Sequence, residues 1–411
     1  MSSRSSRNRL DLAIVFGVAV VANCVYLYFS NGDFYYPDSF TYLAPARSLL
    51  HGLGFVDASG AVETIRTPGY PLLLALFGAR TLPVIIFQHL INAGLAIGIY
   101  LLVLYRADRR PALIASLLFS LDVPTIHYSN KLLTETIFTA LLYVIFVLAL
   151  QRPRLIVIGL LTGVLVLIRP IALFYFVALG FYFLVRRIPK RQLLIFVAVA
   201  LALPGAWALR NRVRTGVFTI SSIGDFNLLT YRAAGALAIE DEGDFRKAVA
   251  DEEQALTDEV DDAIQAELHI PDAGELPDAV RGSYYRKYAW RIIREHPVSF
   301  VQLTIRGLLV NLFDSDWDAI WVVSPMSPDV LELALGASPI VIFVLAIAGT
   351  IFLARYDRSM ALLIALTVAY FIGISAGGEA ESRFRVPVVP QLAIAAAMGV
   401  EAIRRGIVSG A

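Results

Sequence analysis

The sequence predicts an all-α protein that crosses a membrane several times. Of its 411 residues, 57% are hydrophobic and only 17% are charged, and its mean hydropathy is +0.67. Soluble domains carry about 25% charged residues, so a water-soluble chain of this composition would lack polar residues for its surface. The apolar residues also form long runs, which is the pattern that a bilayer selects.

Ten apolar runs are candidate transmembrane helices, since a straight span needs about 20 residues. They lie at approximately 10–30, 82–104, 111–128, 132–150, 154–168, 171–185, 192–209, 338–354, 359–375 and 386–403. Two of them, 154–168 and 171–185, are short and are separated by Arg169-Pro170. We therefore expect two tilted or incomplete helices joined by a tight turn. The first run is long for a secretory signal and no clear cleavage site follows it, which favours a retained first span.

The basic residues in the short loops predict the orientation, because such loops stay in the cytoplasm. With a cytoplasmic N-terminus, six basic segments fall on the same side: 4–9, 106–110, 152–154, 186–191, 355–358 and 404–405. The prediction is an integral plasma (inner) membrane protein with both termini in the cytoplasm. The outer side then receives two long segments, 31–81 and 210–337.

These segments divide the chain into three predicted regions. Residues 1–209 form a module of seven spans with the outer loop 31–81, residues 210–337 an outer segment, and residues 338–411 a C-terminal region of three spans. We interpret 298–313 as a helix lying at the membrane interface, because a further span would move 355–358 outside. The acidic stretch 240–278 is typical of a solvated surface.

The sequence excludes several classes of function. A net charge of +1 offers no basic excess for nucleic acid, and the five histidines lack metal-ligand spacing. No phosphate-binding loop, dinucleotide fingerprint, nucleophile elbow or HExxH motif is present. Chemistry must therefore come from polar groups near the membrane, where such groups are costly and are functional candidates by default.

Asp38 is the first candidate, at the start of the outer loop. It follows Pro37 and precedes a helical pattern that runs through Leu50. A carboxylate at this position is typical of a helix N-cap. The spacing alone favours the cap over a catalytic role.

Four motifs in the outer parts of the chain resemble those of one family. They are the acidic residue Asp38 with the helix after it, Arg66-Thr67-Pro68-Gly69-Tyr70-Pro71, the stretch from Tyr128 to Thr136, and the stretch from Glu381 to Pro390; Trp207 to Asn211 adds to them. Together they resemble the GT-C superfamily of integral membrane glycosyltransferases, which includes protein O-mannosyltransferases and the aminoarabinose transferases of lipid A. The stretch 240–278 matches no motif of that family.

The resemblance implies a GT-C-like helical bundle with loop helices on its outer face. It further implies an inverting transfer of a sugar from a polyprenyl-phosphate-linked donor to a lipid, glycan or protein acceptor. Asp38 would be the catalytic base, and the donor phosphate would be bound by Arg383 and Arg385, with Arg66 next. Glu135, Tyr42 and Lys131 would orient the acceptor or support the site.

Several alternatives stay open at this point. Arg383 and Arg385 could anchor the chain in the headgroup layer, and Glu135 could cap a helix. For Arg169 we favour snorkelling toward the headgroups. No cofactor is assigned, and a divalent metal stays open. The rival functions are a transporter or flippase of lipid-linked sugars, a non-catalytic scaffold, and an oligosaccharide polymerase or ligase. The sugar, acceptor and prenyl lipid are not identified.

Overall fold

The computed structural model describes residues 2–151, 153–239, 244–315, 320 and 327–406. Within these ranges the chain is helical, and its one β contact is an isolated antiparallel bridge between Val56 and Val62. The predicted all-α class is confirmed. Parts of the predicted regions lie outside the described residues: Met1, Arg152, the start of the acidic stretch at 240–243, residues 316–319 and 321–326 of the outer segment, and residues 407–411.

The helices follow the predicted apolar runs closely. The α-helices are Ser2–Phe29, Ser39–Leu50, Gly69–Leu76, Thr81–Arg106, Arg109–Ser120, Val123–Ser129, Glu135–Leu150, Leu155–Ile168, Tyr175–Val185, Lys190–Thr215, Ile223–Asn227, Ala234–Ala238, Phe245–Leu268, Asp278–Glu295, Pro297–Phe313, Pro328–Tyr356, Arg358–Ile374 and Val389–Arg404. A π-helix, Leu228–Ala233, and the 3₁₀ turns Pro170–Ala172, Ala273–Glu275, Ser382–Phe384 and Val386–Val388 complete the list. Two predicted region boundaries, 209/210 and 337/338, fall inside helices, and the division into regions remains a prediction.

Among the described residues, five helices are long and apolar enough to cross a membrane. They are Arg7–Phe29, Thr81–Arg106, Lys190–Thr215, Leu335–Tyr356 and Ser382–Arg404, and a sixth is Arg109–Ser120 with Val123–Ser129 if that pair, bent by 53°, is one span. The bend occurs where the Asp122 carboxylate caps the second helix by accepting from the Thr125 amide, 3.0 Å away. The other predicted spans are apolar helices of 10–17 residues, so the count of ten is not confirmed.

The last span, Ser382–Arg404, lies at the centre of the bundle, since 89% of its apolar window is buried. Gly349 lets the helix Pro328–Tyr356 approach this span closely, because a Cβ at that position would overlap the backbone of Ala395. Small residues play this part in membrane bundles, where close backbone approach adds van der Waals contact.

One end of the bundle is held together by ion pairs between the basic loops. Arg109 pairs with Asp11 of the first helix, and Arg106 with Asp357 at 3.1 Å. Arg405, near the C-terminus, lies 3.7 Å from Asp108. The segments 106–110, 355–358 and 404–405 therefore meet at one end of the bundle. The prediction that they share one side of the membrane requires this.

The outer loop 31–81 packs its two helices, Ser39–Leu50 and Gly69–Leu76, onto the other end of the bundle. Its position is fixed by Arg210, which donates to the carbonyl oxygens of Glu63 (3.1 Å) and Phe55 (2.9 Å). Gly69 lets the loop lie against the neighbouring helix, because a Cβ there would stand 2.6 Å from the Leu167 carbonyl oxygen. The Pro-Gly-Tyr-Pro turn is thus explained by close packing.

The outer segment has a small hydrophobic core of its own. Its helices Phe245–Leu268 and Asp278–Glu295 enclose buried residues that include Leu256, Val260 and Tyr285. The helix Pro297–Phe313 presents four exposed apolar side chains at helical spacing: Val298, Val301, Ile305 and Leu309. That pattern fits the predicted interfacial helix, whose place relative to a membrane stays a prediction.

Candidate active site

Asp38 stands immediately before the helix Ser39–Leu50, but its carboxylate does not cap that helix. Instead, one oxygen accepts from Arg66 Nη2 at 2.7 Å and the other from Arg383 Nη1 at 3.1 Å. Capping therefore does not account for this acid. The side chain is 29% exposed, so a ligand can reach it.

Arg66 is held in place on several sides by the outer loop. Its backbone N–H donates to Glu63 Oε1 at 2.8 Å, and its Nε donates to the hydroxyl of Thr41 at 2.8 Å. The guanidinium also lies over the ring of Tyr42, 4.6 Å from the ring centre, an arrangement that stabilises a cation. The guanidinium is thus presented to Asp38 in a defined geometry.

Arg383 belongs to the C-terminal part of the chain, in the 3₁₀ turn Ser382–Phe384, and its side chain reaches Asp38. Its Nε lies 3.0 Å from Glu381 Oε2, and the hydroxyl of Tyr36 donates to the same oxygen at 3.3 Å. The guanidinium also lies 5.2 Å from the Tyr36 ring centre. Asp38, Arg66, Arg383 and Glu381 therefore form one connected network.

A second ion pair lies beside this network. Glu135, the first residue of Glu135–Leu150, is 2% exposed and accepts from Arg169 Nη1 at 2.8 Å. Arg169 is also flanked by the rings of Phe138 and Phe384. The snorkelling interpretation of Arg169 is therefore wrong, because its charge is directed to a buried carboxylate rather than to the headgroups.

These groups line one cavity of about 1700 Å³. The predicted site residues in its wall are Asp38, Tyr42, Arg66, Glu135 and Arg383, and Arg169 joins them. Its apolar wall comes from the break after Arg169 and from the helix Pro297–Phe313. The cavity is large enough for more than one substrate, since drug-sized ligands occupy pockets of about 300–1,000 Å³.

Two carboxyl groups in the outer loop have pKa values that are shifted in opposite directions. Burial by itself raises the pKa of Asp38, but Arg66 and Arg383 outweigh it and hold that pKa below its ordinary value. Burial raises the pKa of Glu63 to about 7, although backbone N–H groups partly oppose the shift. Near neutral pH, Asp38 is therefore ionised while Glu63 is in the middle of its titration.

The fold is similar to that of several solved structures. An oligosaccharyltransferase from Archaeoglobus fulgidus, tethered to an acceptor peptide, matches 96% of this chain with 14% identity and a TM-score of 0.50. The chain therefore shares the fold of that protein over the matched residues, in agreement with the predicted GT-C-like bundle. It spans only about half of that protein, 50% of its length. No family model matches the chain, and no curated protein is significantly similar to it in sequence.

Two further structures are similar at lower TM-scores. The archaeal oligosaccharyltransferase AglB from Archaeoglobus fulgidus, with an inhibitory peptide and a dolichol-phosphate, has 13% identity over 97% of this chain and 52% of its own, at a TM-score of 0.47. ArnT from Cupriavidus metallidurans, bound to undecaprenyl phosphate, has 13% identity over 98% of this chain and 79% of its own, at 0.39.

Within this GT-C fold, Arg385 and Lys131 do not reach the cavity. Arg385 is 6% exposed, and it donates to the carbonyl oxygens of Asn311 (3.1 Å), Leu312 (2.9 Å) and Asp314 (2.9 Å). Its predicted phosphate contact is therefore replaced by a structural contact to the end of the helix Pro297–Phe313. Lys131 is paired with Asp33 at 2.6 Å, outside the cavity wall.

The structure adds cavity residues that sequence reasoning missed. They are Tyr36, Tyr231, Arg232, Glu379 and Glu381. Glu381 is the first residue of a motif already singled out and Glu379 lies two residues before it, so their proximity to Arg383 in the sequence was a usable signal. Tyr231 and Arg232 come from the outer segment, where no motif pointed to them.

The described residues do not form a ready metal site in this fold. No group of three or more His, Cys, Asp or Glu side chains lies close enough to hold an ion within the ranges that the structure describes. The acids at the centre of the site are instead paired with arginines.

Proposed function

We propose that this chain is a membrane glycosyltransferase. It moves a sugar from a polyprenyl-phosphate-linked donor to an acceptor hydroxyl on the extracytoplasmic side, with inversion at the anomeric carbon. The observation that carries the proposal is one carboxylate, Asp38, held between Arg66 and Arg383 in the wall of a 1700 Å³ cavity. The GT-C fold is in keeping with it.

The chemistry needs one base and several cations. Asp38 takes the proton of the acceptor hydroxyl while the acceptor oxygen forms a bond to the anomeric carbon. The bond from that carbon to the phosphate oxygen breaks, and its electron pair passes to the phosphate. A phosphate leaves without being protonated, so a single carboxylate suffices, unlike the paired acids of a glycosidase. Attack from the face opposite the phosphate inverts the centre.

The arginines couple donor binding to the strength of the base. Arg66 and Arg383 hold the pKa of Asp38 down in the free protein, which makes it a weak base. A phosphate offers the same guanidinium groups a strong bidentate partner. When they turn toward the donor, Asp38 loses its compensating charges and its pKa rises. Asp38 thus becomes a better base when the donor is in place.

The proposal that the cavity lies on the outer side of the membrane is supported by its distance from the basic end of the bundle. Asp11 pairs with Arg109 at the basic end, and the helix continues from there to Phe29. At 1.5 Å per residue this length is roughly 27 Å, close to the thickness of the hydrocarbon core. Asp38 lies just beyond that helix, and a prenyl phosphate at headgroup depth would meet it there.

The placement of the charges favours transfer over transport. Transporters bind their substrates near the bilayer midplane, on broken helices of repeated halves. Here Asp38, Glu135 and Arg169 each lie at the end of a helix, and they converge on one cavity.

The test is an assay of the purified full chain with labelled prenyl-phosphate sugars and a panel of acceptors. Asp38→Asn should lower turnover roughly 10²–10⁴-fold while donor binding is kept, because it removes only the base. Asp33→Asn is the matched control, since Asp33 belongs to the same loop but pairs with Lys131 outside the cavity. Its turnover should match that of the wild type.

The pH dependence sharpens the same test. The acidic limb of kcat, which reports the donor complex, should lie at a higher pH than that of kcat/KM, which reports the free protein. Turnover by Asp38→Asn at the wild-type rate would remove Asp38 from the mechanism. A wild-type chain that transfers no sugar from any prenyl-phosphate donor would refute the function.

A further inference from the structure

The outer segment contributes a second group of side chains to the cavity wall, and the mechanism above makes no use of them. Asp225 belongs to the short helix Ile223–Asn227, and Arg286 and Trp290 belong to the helix Asp278–Glu295. All three side chains line the cavity. Arg286 and Trp290 are four residues apart in one helix, so they are neighbours on the same face. That helix thus presents a charged and an aromatic side chain side by side to the cavity.

Close backbone packing holds this patch in place. Gly282, one turn before Arg286, lets the two helices approach, because a Cβ there would stand 3.3 Å from the Cβ of Asp225. The turn before Asp225 is bonded to the outer loop, since the Ser222 N–H donates to the carbonyl oxygen of Thr64 at 2.8 Å. The patch is therefore attached to the loop two residues before the arginine that contacts the proposed base.

The contact between Asp225 and Arg286 leaves both groups with unused hydrogen-bonding capacity. Arg286 Nη1 lies 3.4 Å from each carboxylate oxygen, which is long for a charge-assisted bond of about 2.7–2.9 Å. Burial raises the pKa of Asp225, and Arg286 offsets that shift only in part. The two side chains are 13% and 48% exposed, so a ligand in the cavity can reach them. Hydroxyl groups would donate to the carboxylate and accept from the guanidinium.

The paired charges select a neutral ligand. A phosphate would be repelled by Asp225 and an ammonium group by Arg286, whereas a hydroxyl group can both donate and accept. Trp290 is 44% exposed, and its indole offers a flat apolar face on which the C–H face of a sugar ring can stack. An aromatic surface beside a few polar groups that fix orientation is the usual composition of a small-ligand site. A sugar ring meets all of these requirements.

We propose that Asp225, Arg286 and Trp290 form a subsite for a neutral sugar unit of a glycan. Asp225 accepts from the hydroxyl groups of the sugar, Arg286 donates to one of their oxygens, and Trp290 stacks on the ring. The sugar unit belongs either to the acceptor or to the donor. This inference rests on the proposed function and assigns a glycan substrate to it.

The first test measures binding without turnover. Saturation-transfer NMR, which detects weak binding, is recorded on the purified full chain with a panel of neutral methyl disaccharides, in a detergent without a sugar headgroup. At least one disaccharide should bind the wild type. Asp225→Asn should weaken its binding roughly 10–100-fold, because an amide replaces the charged acceptor. Trp290→Leu should weaken it roughly 3–10-fold, because the flat aromatic face is lost.

Glu259→Gln is the matched control for Asp225→Asn. Glu259 pairs with Arg291, a residue of the same helix Asp278–Glu295, at 2.9 Å and outside the cavity wall. The control should leave the affinity for the disaccharide unchanged, since it also removes a carboxylate from an arginine of that helix but removes nothing from the subsite.

The second test varies donor and acceptor separately in steady-state assays. Asp225→Asn and Trp290→Leu should raise the KM of the glycan substrate, with the larger rise in Asp225→Asn. The acidic limb of kcat, set by Asp38, should stay in place. A rise in the donor KM assigns the subsite to the donor glycan, and a rise in the acceptor KM assigns it to the acceptor glycan.

Unchanged disaccharide affinity and KM values in folded Asp225→Asn and Trp290→Leu proteins would overturn this inference and leave the glycosyltransferase proposal intact. A wild-type chain that binds no neutral disaccharide overturns it as well. If Asp225→Asn does not fold, Trp290→Leu decides, because it changes an exposed side chain. Disaccharide binding by a chain that transfers no sugar from any prenyl-phosphate donor would refute the proposed function and keep the subsite.

Discussion

The two ends of the helical bundle both concentrate arginine–carboxylate contacts, but only one of the two sets faces a cavity. At the basic end, Arg109 pairs with Asp11, and Glu401 is shared between Arg404 and Arg405. At the cavity end, Asp38 is shared between two arginines, and Arg383 is shared between Asp38 and Glu381. Only the second set lines the 1700 Å³ cavity.

The difference shows why an ion pair alone says little about function. A carboxylate matched to a single arginine, as Asp11 is matched to Arg109, serves mainly to join two segments of chain. A shared carboxylate in a cavity has partners that can be exchanged for a ligand at a smaller cost, because each loses only part of its contacts. A phosphate can therefore replace Asp38 as a partner of the arginines while the fold is kept.

Among the arginine variants, the largest effect is expected from exchanging one arginine at each end. Arg383→Gln should lower kcat/KM for the donor roughly 10²–10³-fold, since it removes a cation from the leaving phosphate. Arg109→Gln should leave the kinetic constants unchanged and lower the melting temperature, because Asp11 is left buried without its partner. Steady-state kinetics and thermal melts in one detergent measure both. Equal kinetic losses would abolish the distinction between the two ends.

The neighbouring arginine provides the next test. Arg385→Gln should lower the free energy of unfolding by roughly 3 kcal/mol, because a charged donor to three carbonyl oxygens is lost. The donor KM should stay within about 3-fold of the wild type. A donor KM that rises as steeply as in Arg383→Gln would restore Arg385 to the phosphate site.

Arg383 and Arg385 also show how far the sequence could be read. Their motif points to this part of the chain, but residues two apart lie on different faces of a helix and on the same face of an extended strand. Here Arg383 lies in the 3₁₀ turn Ser382–Phe384 and Arg385 lies between that turn and the next, so one guanidinium faces the cavity and the other faces a helix end. Only the tertiary arrangement decides which of the two guanidinium groups faces the cavity.

The helices themselves were largely predictable, because long apolar runs and the break at Arg169-Pro170 carry local signals. The pairing of Arg232 with Glu379 was not, since 147 residues separate them and neither lies in a periodic pattern. The count of ten spans is not confirmed, for a related reason. Hydropathy marks apolar helices, but packing against neighbours decides how long each one becomes.

A smaller effect concerns Glu63, whose buried carboxyl group accepts a hydrogen bond from the backbone N–H of Arg66. Its pKa is raised by burial from 4.5 to about 7 in the folded protein. A carboxyl group whose pKa is higher in the folded than in the unfolded protein contributes its full stabilisation at pH values below the unfolded-state pKa. This contribution is lost as the pH rises through the folded-state pKa. The free energy of unfolding should therefore fall by roughly 3 kcal/mol between about pH 4.5 and pH 7.

The matched variant is Glu63→Gln, which keeps an oxygen for the Arg66 N–H and cannot titrate. The difference in unfolding free energy between wild type and variant, measured by denaturant titration at several pH values, isolates this contribution. The pKa of Asp38 is shifted downward, so its own contribution changes only below this window. A difference that does not vary between pH 4.5 and 7 would refute the assignment.

The smallest predicted effect tests the support beneath Arg66. Tyr42→Phe removes a hydroxyl that accepts from Arg66 Nη1 at 3.3 Å but keeps the ring below the guanidinium. The donor KM should rise no more than about 5-fold, because a long hydrogen bond contributes little. Tyr42→Leu also removes the cation–π contact and should cost roughly 10-fold. A loss in Tyr42→Phe as large as that in Arg383→Gln would mean that the hydroxyl touches the substrate itself.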